Sequence, residues 1–214
     1  MPEKYRMLIT AGPTHEPIDA VRYLANRSSG RLGLCLAEAA RDAGWQVTLL
    51  LGPVGLPRPA GLRVERFESA ADLAELLDEH FPSCDVLIMA AAVGDFRPRP
   101  AGERKLPRTG EKLLLELEPT PDLVAACAAR KRADQRIIGF ALEEPAVLEA
   151  RAQRKLAQKG LDAIVANPLE TMGADEIRAI LYTADGRAIQ PPEGKPLRKG
   201  AFARWLIEWI SQNL

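Results

Sequence analysis

Four segments of the chain place small, polar or charged residues where a strand or helix ends, and there backbone groups are free to meet a ligand. The first is Thr10-Ala11-Gly12-Pro13-Thr14. It closes an apolar run and turns the chain at Gly12-Pro13. Backbone amides and the Thr14 hydroxyl then stand at a strand's carboxyl end, where open α/β sheets hold their ligands. The second is Asn26-Arg27-Ser28-Ser29-Gly30-Arg31-Leu32-Gly33, just ahead of a helical pattern. Unpaired N–H groups and a partial positive charge at a helix start suit an anion, and small side chains let a phosphate approach the backbone. An ordinary N-cap by Ser28 or Ser29 is the plainer reading of the same residues. The third is Ala90-Ala91-Ala92-Val93-Gly94-Asp95-Phe96. Small residues at the end of a strand leave room for a flat group. Asp95 there can serve a metal, a ribose hydroxyl or a base, or it can cap a turn. The fourth is the lysines. Lys155 and Lys159 are spaced i, i+4 and share a helix face, as many solvated pairs do, while Lys105 lies in a basic, proline-bearing stretch able to close over a triphosphate. His15 and His80 have no partners that would make a metal site or a triad, and both read as incidental.

These segments need elements to position them. Apolar runs at 7–11, 46–51, 63–67, 85–92, 112–117, 136–142 and 162–166 read as strands. Segments 31–43, 70–80, 121–132, with Pro121 in its first turn, and 145–159 read as helices. The runs 47–51 and 86–92 are apolar on both faces, as in a parallel sheet covered on both sides. Strand alternating with helix predicts a Rossmann-like, doubly wound α/β fold with a mostly parallel sheet. After these come a β-hairpin, 177–182 and 187–190 around Asp185-Gly186, and an amphipathic helix over 199–213 that buries Phe202, Leu206, Trp209 and Ile210. One domain is expected over 1–214, with a flap at about 96–111.

The composition narrows the function. Lys plus Arg number 29 and Asp plus Glu number 29, which argues against a broad electrostatic grip on nucleic acid or an anionic membrane. No stretch approaches the ~20 apolar residues of a membrane span, and no signal core opens the chain. Cys35, Cys84 and Cys127 are scattered and odd in number, as expected of buried thiols in a cytoplasmic protein. The GxGxxG fingerprint is missing after the first strand, which disfavours the alternative of an NAD(P)-binding oxidoreductase. A non-catalytic nucleotide-binding module is the other alternative.

The run from Thr10 through Tyr23-Leu24-Ala25-Asn26-Arg27-Ser28-Ser29-Gly30 to Gly33 resembles the opening of the phosphopantothenoylcysteine synthetases. Later blocks follow in the same order: Ala90–Phe96, Lys105–Arg108, Thr120-Pro121-Asp122, Gly139-Phe140-Ala141, Lys155 with Lys159-Gly160, and Ala166-Asn167. The resemblance implies a ligase that activates the 4′-phosphopantothenate carboxylate with CTP, or with ATP, and couples it to cysteine with Mg2+ bound. It implies that Asn26 contacts the acyl intermediate and that Lys105 belongs to a flap. Arg22, Ser28, Ser29 and Gly30 would hold substrate. Gly12, Thr14, Asp95, Thr120, Pro121, Asp122, Phe140, Lys155 and Lys159 would hold the nucleotide, and the metal ligands stay open. A homodimer is implied, as is a phosphopantothenoylcysteine decarboxylase as partner or as a fused domain absent from this chain. Three blocks depart from the family pattern. Gly94-Asp95-Phe96 stands for Ala-Asp-Tyr, Lys105-Leu-Pro-Arg108 for Lys-x-Lys-Lys, and Gly139-Phe-Ala-Leu-Glu-Glu144 for Gly-Phe-Ala-Ala-Glu-Thr.

Overall fold

A computed structural model describes residues 5–57, 59–99, 105–108 and 110–213. The chain opens with strand β1 (Arg6–Ala11), a hairpin of β2 (His15–Pro17) and β3 (Tyr23–Ala25), and helix α1 (Arg31–Asp42). Strands β4 (Gln46–Leu51) and β5 (Arg63–Arg66) lead to α2 (Ala70–His80) and then β6 (Val86–Met89). An antiparallel pair follows, β7 (Phe96–Pro98) with β8 (Leu117–Pro119), then α3 (Leu123–Ala129), β9 (Arg136–Glu143), α4 (Leu148–Gln158) and β10 (Ala163–Pro168). The last third holds β11 (Glu176–Ile177), β12 (Ile180–Thr183), β13 (Ala188–Ile189), β14 (Leu197–Arg198) and α5 (Lys199–Asn213).

The main sheet has eight strands in the order β13-β12-β10-β9-β6-β1-β4-β5. The six from β10 to β5 run parallel, and β12 and β13 extend the β10 edge antiparallel. Chain order reverses direction between β1 and β6, so the crevice above their carboxyl ends is the topological switch point. Alternation along β1 sorts two cores. Met7, Ile9 and Ala11 face one layer with α1 and α5, while Leu8 faces the other with α2, α3 and α4. Phe202, Leu206, Trp209 and Ile210 of α5 are buried in the first layer, as the sequence pattern predicts.

Two local devices set the cavity's floor. A Cβ on Gly33 would lie 2.4 Å from the Ala11 Cβ, so only glycine lets α1 press onto β1. Gly30 holds φ 72 and turns the chain into α1. That corrects the N-cap reading of Ser28 or Ser29: Gly30 is the N-cap, and no side chain caps the helix. Pro121 likewise precedes α3 rather than entering its first turn. Asp122 is the N-cap there, and its carboxylate accepts from Ala125 N–H at 3.2 Å.

Three other expectations shift. Of the predicted strand at 112–117, only Leu117 belongs to a strand among the described residues, as the start of β8; the positions that would face 112–115 across the β7–β8 pair lie outside the described residues. The run at 177–182 splits. β11 pairs with β14, and β12 pairs with β13 and β10. Helix α4 starts at Leu148, after a turn, rather than at residue 145.

Candidate active site

A cavity of about 830 Å3 opens at the switch point, within the size range of small-molecule and cofactor sites. Its walls are the chain running on from β6 (residues 89–95), the approach to α1 (residues 25–33), the start of α3, Phe140 of β9, and the end of α4 with Lys155 and Lys159. Asn26, Ser28, Ser29, Gly30, Asp95, Thr120, Pro121, Asp122, Phe140, Lys155 and Lys159 are thus brought to one cavity. Gly12, Thr14, Arg22 and Lys105 lie outside its lining.

The residues outside support those inside. Thr14 is fully buried; its Oγ1 accepts from Gly94 N–H at 3.0 Å, and its own N–H donates to the Ala92 carbonyl at 3.3 Å. The Gly12 carbonyl accepts from Ala92 N–H at 2.9 Å. Both residues therefore hold the wall that ends in Asp95. Thr120 braces the same wall. Its hydroxyl donates to the Gly94 carbonyl, and its N–H donates to the Asp95 carbonyl at 3.0 Å.

Asn26 is exposed, and its Nδ2 donates to the Val93 carbonyl at 3.0 Å. Its amide plane is thereby fixed against the Asp95 wall, with the oxygen left to a ligand or water. Arg22 points elsewhere. Its Nη2 donates to the Leu106 carbonyl at 2.7 Å and pairs with Asp19 Oδ2 at 3.0 Å. Asp19 is a buried residue, and its carboxylate also accepts from the N–H groups of Val21 and Arg22 at 2.8 Å each and of Leu106 at 3.1 Å. Burial works against this charge. The three N–H groups and the Arg22 cation outweigh it and hold the Asp19 carboxyl below the usual range. Leu106 adjoins Lys105, so Asp19 and Arg22 tether the flap. The flap residues 100–104 and 109 lie outside the described residues, and Lys105 itself is exposed.

The two α4 lysines are each paired. Lys155 Nζ donates to Glu143 Oε1 at 2.8 Å, and Lys159 Nζ lies 2.9 Å from Asp122 Oδ2. Burial opposes the Glu143 charge, but Lys155 and Arg151 together keep its carboxyl below the ordinary value. Each ammonium is therefore already neutralised by a carboxylate brought from another element. Asp95 and Asp122 are the two carboxylates in the cavity lining, hard oxygen donors suited to Mg2+. Among the described residues, the cluster whose ligand atoms lie close enough together to share a metal ion is Glu65, Glu79 and His80 at β5 and α2, outside the cavity lining; there His80 Nε2 bonds Glu65 at 2.9 Å. His15 stacks on Tyr23 with ring centroids 3.7 Å apart. Both histidines thus have structural partners. Cys84 and Cys127 are buried and Cys35 partly so; burial pushes the Cys84 thiol up to about 12.

Sequence reasoning missed Asp19, Glu143 and Lys199, of which Lys199 lines the cavity. The turn Asp19-Ala20-Val21-Arg22 carried a signal in its i, i+3 charges. Nothing local marked Glu143 or Lys199.

Residues 3–214 match the model of the DNA/pantothenate metabolism flavoprotein C-terminal domain. The chain belongs to this family. The resemblance to phosphopantothenoylcysteine synthetases noted in its motifs is thereby borne out. It is 44% identical over 170 residues to a cysteine/cysteine sulfinic acid decarboxylase of an unknown prokaryotic organism, covering 79% of this chain and 47% of that one. It is 38% identical over 195 residues to the coenzyme A biosynthesis bifunctional protein CoaBC of Bacillus subtilis, covering 89% of this chain and 48% of that one. The chain thus spans about half the length of these curated relatives. The crystal structure of the C-terminal domain of a CoaBC protein superposes with a TM-score of 0.80 at 35% identity, covering 97% of this chain and 94% of that one. The mostly parallel, doubly wound fold agrees with the family. No helix among the described residues is long and apolar enough to cross a membrane.

Proposed function

We propose that this domain is a phosphopantothenate–cysteine ligase. One observation carries the reading: a single cavity at the switch point gathers Asn26, the Ser28-Ser29-Gly30 turn, Asp95, Asp122, Phe140 and two lysines. A carboxylate oxygen is a poor leaving group, so amide formation requires activation. The 4′-phosphopantothenate carboxylate attacks the α-phosphorus of CTP, or of ATP, and pyrophosphate leaves. The cysteine amine then attacks the acyl carbon of the acyl-nucleotidylate and releases the nucleoside monophosphate and a proton. Holding two anions in attack geometry is the larger part of the task, and fixed donors supply the rest.

Asn26 is neutral and held by Val93, so it lies beside the acyl group without repelling either anion. Lys155 and Lys159 neutralise phosphate oxygens once drawn from Glu143 and Asp122. Phe140 offers a flat surface for the base. Asp95 and Asp122 are the residues that would hold Mg2+, and when bound it would supply positive charge against the charge on the phosphates. Lys105 reaches the site through closure of the tethered flap.

We further infer a homodimer. Phe96, Leu113, Leu114, Leu115 and Leu117 are exposed on and beside the β7–β8 pair. A cleft between Leu24, Phe96 and Leu117 adjoins Asn26 and Asp95, so a partner covering that face would also shield the cavity. A phosphopantothenoylcysteine decarboxylase, as partner or fused domain, would consume the product.

The test is pyrophosphate release with 4′-phosphopantothenate, Mg2+ and either nucleotide. A first turnover without cysteine and sustained release with it are expected. Release only when cysteine is present would overturn the two-step order, and no release with either nucleotide would overturn the ligase reading.

A further inference from the structure

The β2–β3 hairpin leads directly into Asn26, yet it has no apolar core of its own. Of the residues of β2 and β3, Glu16 alone is buried, at 2% exposure. A two-stranded hairpin is marginal by itself and needs packing against another element. Here the one side chain turned into the molecule is an acid, and a buried acid must find a donor. It finds one on α2: Glu16 Oε1 accepts from the Ala70 N–H at 3.0 Å.

Helix α2 does not depend on this bond. Its N-cap Ser69 accepts from the Asp72 N–H, and the Asp72 carboxylate accepts in return from the Ser69 N–H at 2.8 Å, so the helix start is capped by its own residues. The Ala70 N–H, at the first helical position, takes no part in that box and is the donor that Glu16 meets. Beside it the His15 N–H donates to the Glu68 carbonyl at 2.7 Å. One side-chain bond and one backbone bond thus dock the hairpin on the start of α2.

Two stretches of the cavity wall depend on this dock. His15 pairs with Ala25 and Glu16 with Leu24, so the end of β3, and Asn26 after it, follow β2. Thr14, two residues before Glu16, accepts from the Gly94 N–H at 3.0 Å and donates to the Ala92 carbonyl at 3.3 Å, ahead of Asp95. Glu16 also lies against that wall, since a Cβ on Gly94 would come 3.5 Å from the Glu16 Cγ. Asn26 and Asp95 line the cavity, and Glu16 does not.

We propose that Glu16 is a positioning residue. Its bond to the Ala70 N–H sets Asn26 through the hairpin, and Asp95 through Thr14, at the spacing the reacting groups need. A misplacement of about 1 Å at such groups costs roughly 100-fold in rate. The effect on turnover rests on the ligase reading; the docking of the hairpin does not.

The experiment compares the full chain of wild type with Glu16→Ala, Glu16→Gln and Ala70→Pro. Glutamine keeps an acceptor oxygen at the same reach. Proline removes the Ala70 N–H but suits a first helical position, and Ser69 before it is already extended at φ -102, ψ 172. Three quantities are read: kcat for pyrophosphate release, Kd of the nucleotide that supports it, and hydrogen exchange of the Thr14 and Gly94 amides against that of Leu49 in β4. Glu16→Ala and Ala70→Pro are expected to lower kcat roughly ten-fold or more. Nucleotide Kd should stay within about three-fold, because Phe140 and Lys155 stand on β9 and α4. The Thr14 and Gly94 amides should exchange faster while Leu49 does not change. Glu16→Gln should recover both kcat and protection. Undiminished kcat in Glu16→Ala or Ala70→Pro, a glutamine variant as poor as the alanine one, or unchanged exchange at Thr14 and Gly94 would each defeat the proposal. If Glu16→Ala does not fold, the other two variants give the same outcomes. A wild type that releases no pyrophosphate would sink the ligase reading, and the exchange rates would then decide by themselves whether Glu16 docks the hairpin.

Discussion

The Asn26 amide donates to the fold through Nδ2, to the Val93 carbonyl at 3.0 Å and more weakly to the Ala92 carbonyl at 3.4 Å, and otherwise faces the cavity. Asn26→Asp turns that donor into a carboxylate facing a carbonyl and, on the proposed ligase reading, two anionic substrates. Losing the bond costs about 0.5–1.5 kcal/mol of stability, whereas misplaced charge at the reacting groups is expected to cut turnover by roughly 100-fold or more. Steady-state rates beside thermal melting would check this, and near-normal turnover would remove Asn26 from the mechanism. The three site lysines should divide by position. Lys155 and Lys159 line the cavity and Lys105 does not. Lys155→Met and Lys159→Met are therefore expected to raise the nucleotide Kd by roughly ten-fold each. Neither should unfold the chain, since Arg151 still pairs with Glu143 and Asp122 still caps α3. Lys105→Met should leave Kd nearly unchanged and lower kcat, because a contact made on flap closure favours the later state. Equal loss of binding in all three, with kcat kept, would contradict that division. At this scale the sequence was informative where a motif marked positions that come to line the cavity, as at Asn26, Ser28–Gly30 and Asp95. It was silent on pairing: nothing in Lys155 or Lys159 announces Glu143 or Asp122, which arrive from other elements.

Among the elements, the β2–β3 hairpin and the flap act as a unit through Asp19. Three N–H donors and Arg22 converge on its carboxylate, two of the donors from its own turn and the third, Leu106, from the flap. Its pKa is depressed in the folded state. The stability it contributes is therefore fully present above the unfolded value of about 3.9 and is lost as pH falls through the lower folded value. The tether should hold throughout the neutral range and release only in acid. Asp19→Asn should mimic that release at pH 7. Hydrogen exchange of the Leu106 amide is expected to quicken in the variant and to lose its dependence on acid; equal exchange in variant and wild type would rule out the tether. The elements differ in how legibly they are written. Strands β4 and β6, apolar on both faces, are buried in the sheet as their composition requires. Segment 112–117 has strand-like residues, and among the described residues strand begins only at Leu117; composition suits a strand, but pairing decides it. The β2–β3 hairpin left no periodic signal, since β3 is exposed throughout.

For the molecule as a whole, the uncovered surface is uneven. Leu114 is 90% exposed, and Leu113, Leu115, Leu117 and Phe96 stand with it along one arm. The β7–β8 pair that bears them is held by ion pairs, Arg97 with Glu118 at 2.8 Å and Arg99 with Glu116 at 2.9 Å, rather than by a core of its own. A two-stranded arm is marginal by itself, and a contiguous apolar strip in water favours association. Two copies meeting through this arm would bury the leucines and close the cleft beside Asn26 and Asp95. Light scattering at micromolar concentration should therefore give twice the chain mass. Leu114→Glu together with Leu117→Glu should give a single-chain mass. Because neither leucine belongs to the two cores, the melting of the monomeric variant should remain cooperative. Turnover should nonetheless fall, since water then reaches Asn26 and Asp95 from the open face. A wild-type protein that scatters as one chain would refute the dimer, and a monomeric variant with undiminished turnover would show that association has no part in completing the site.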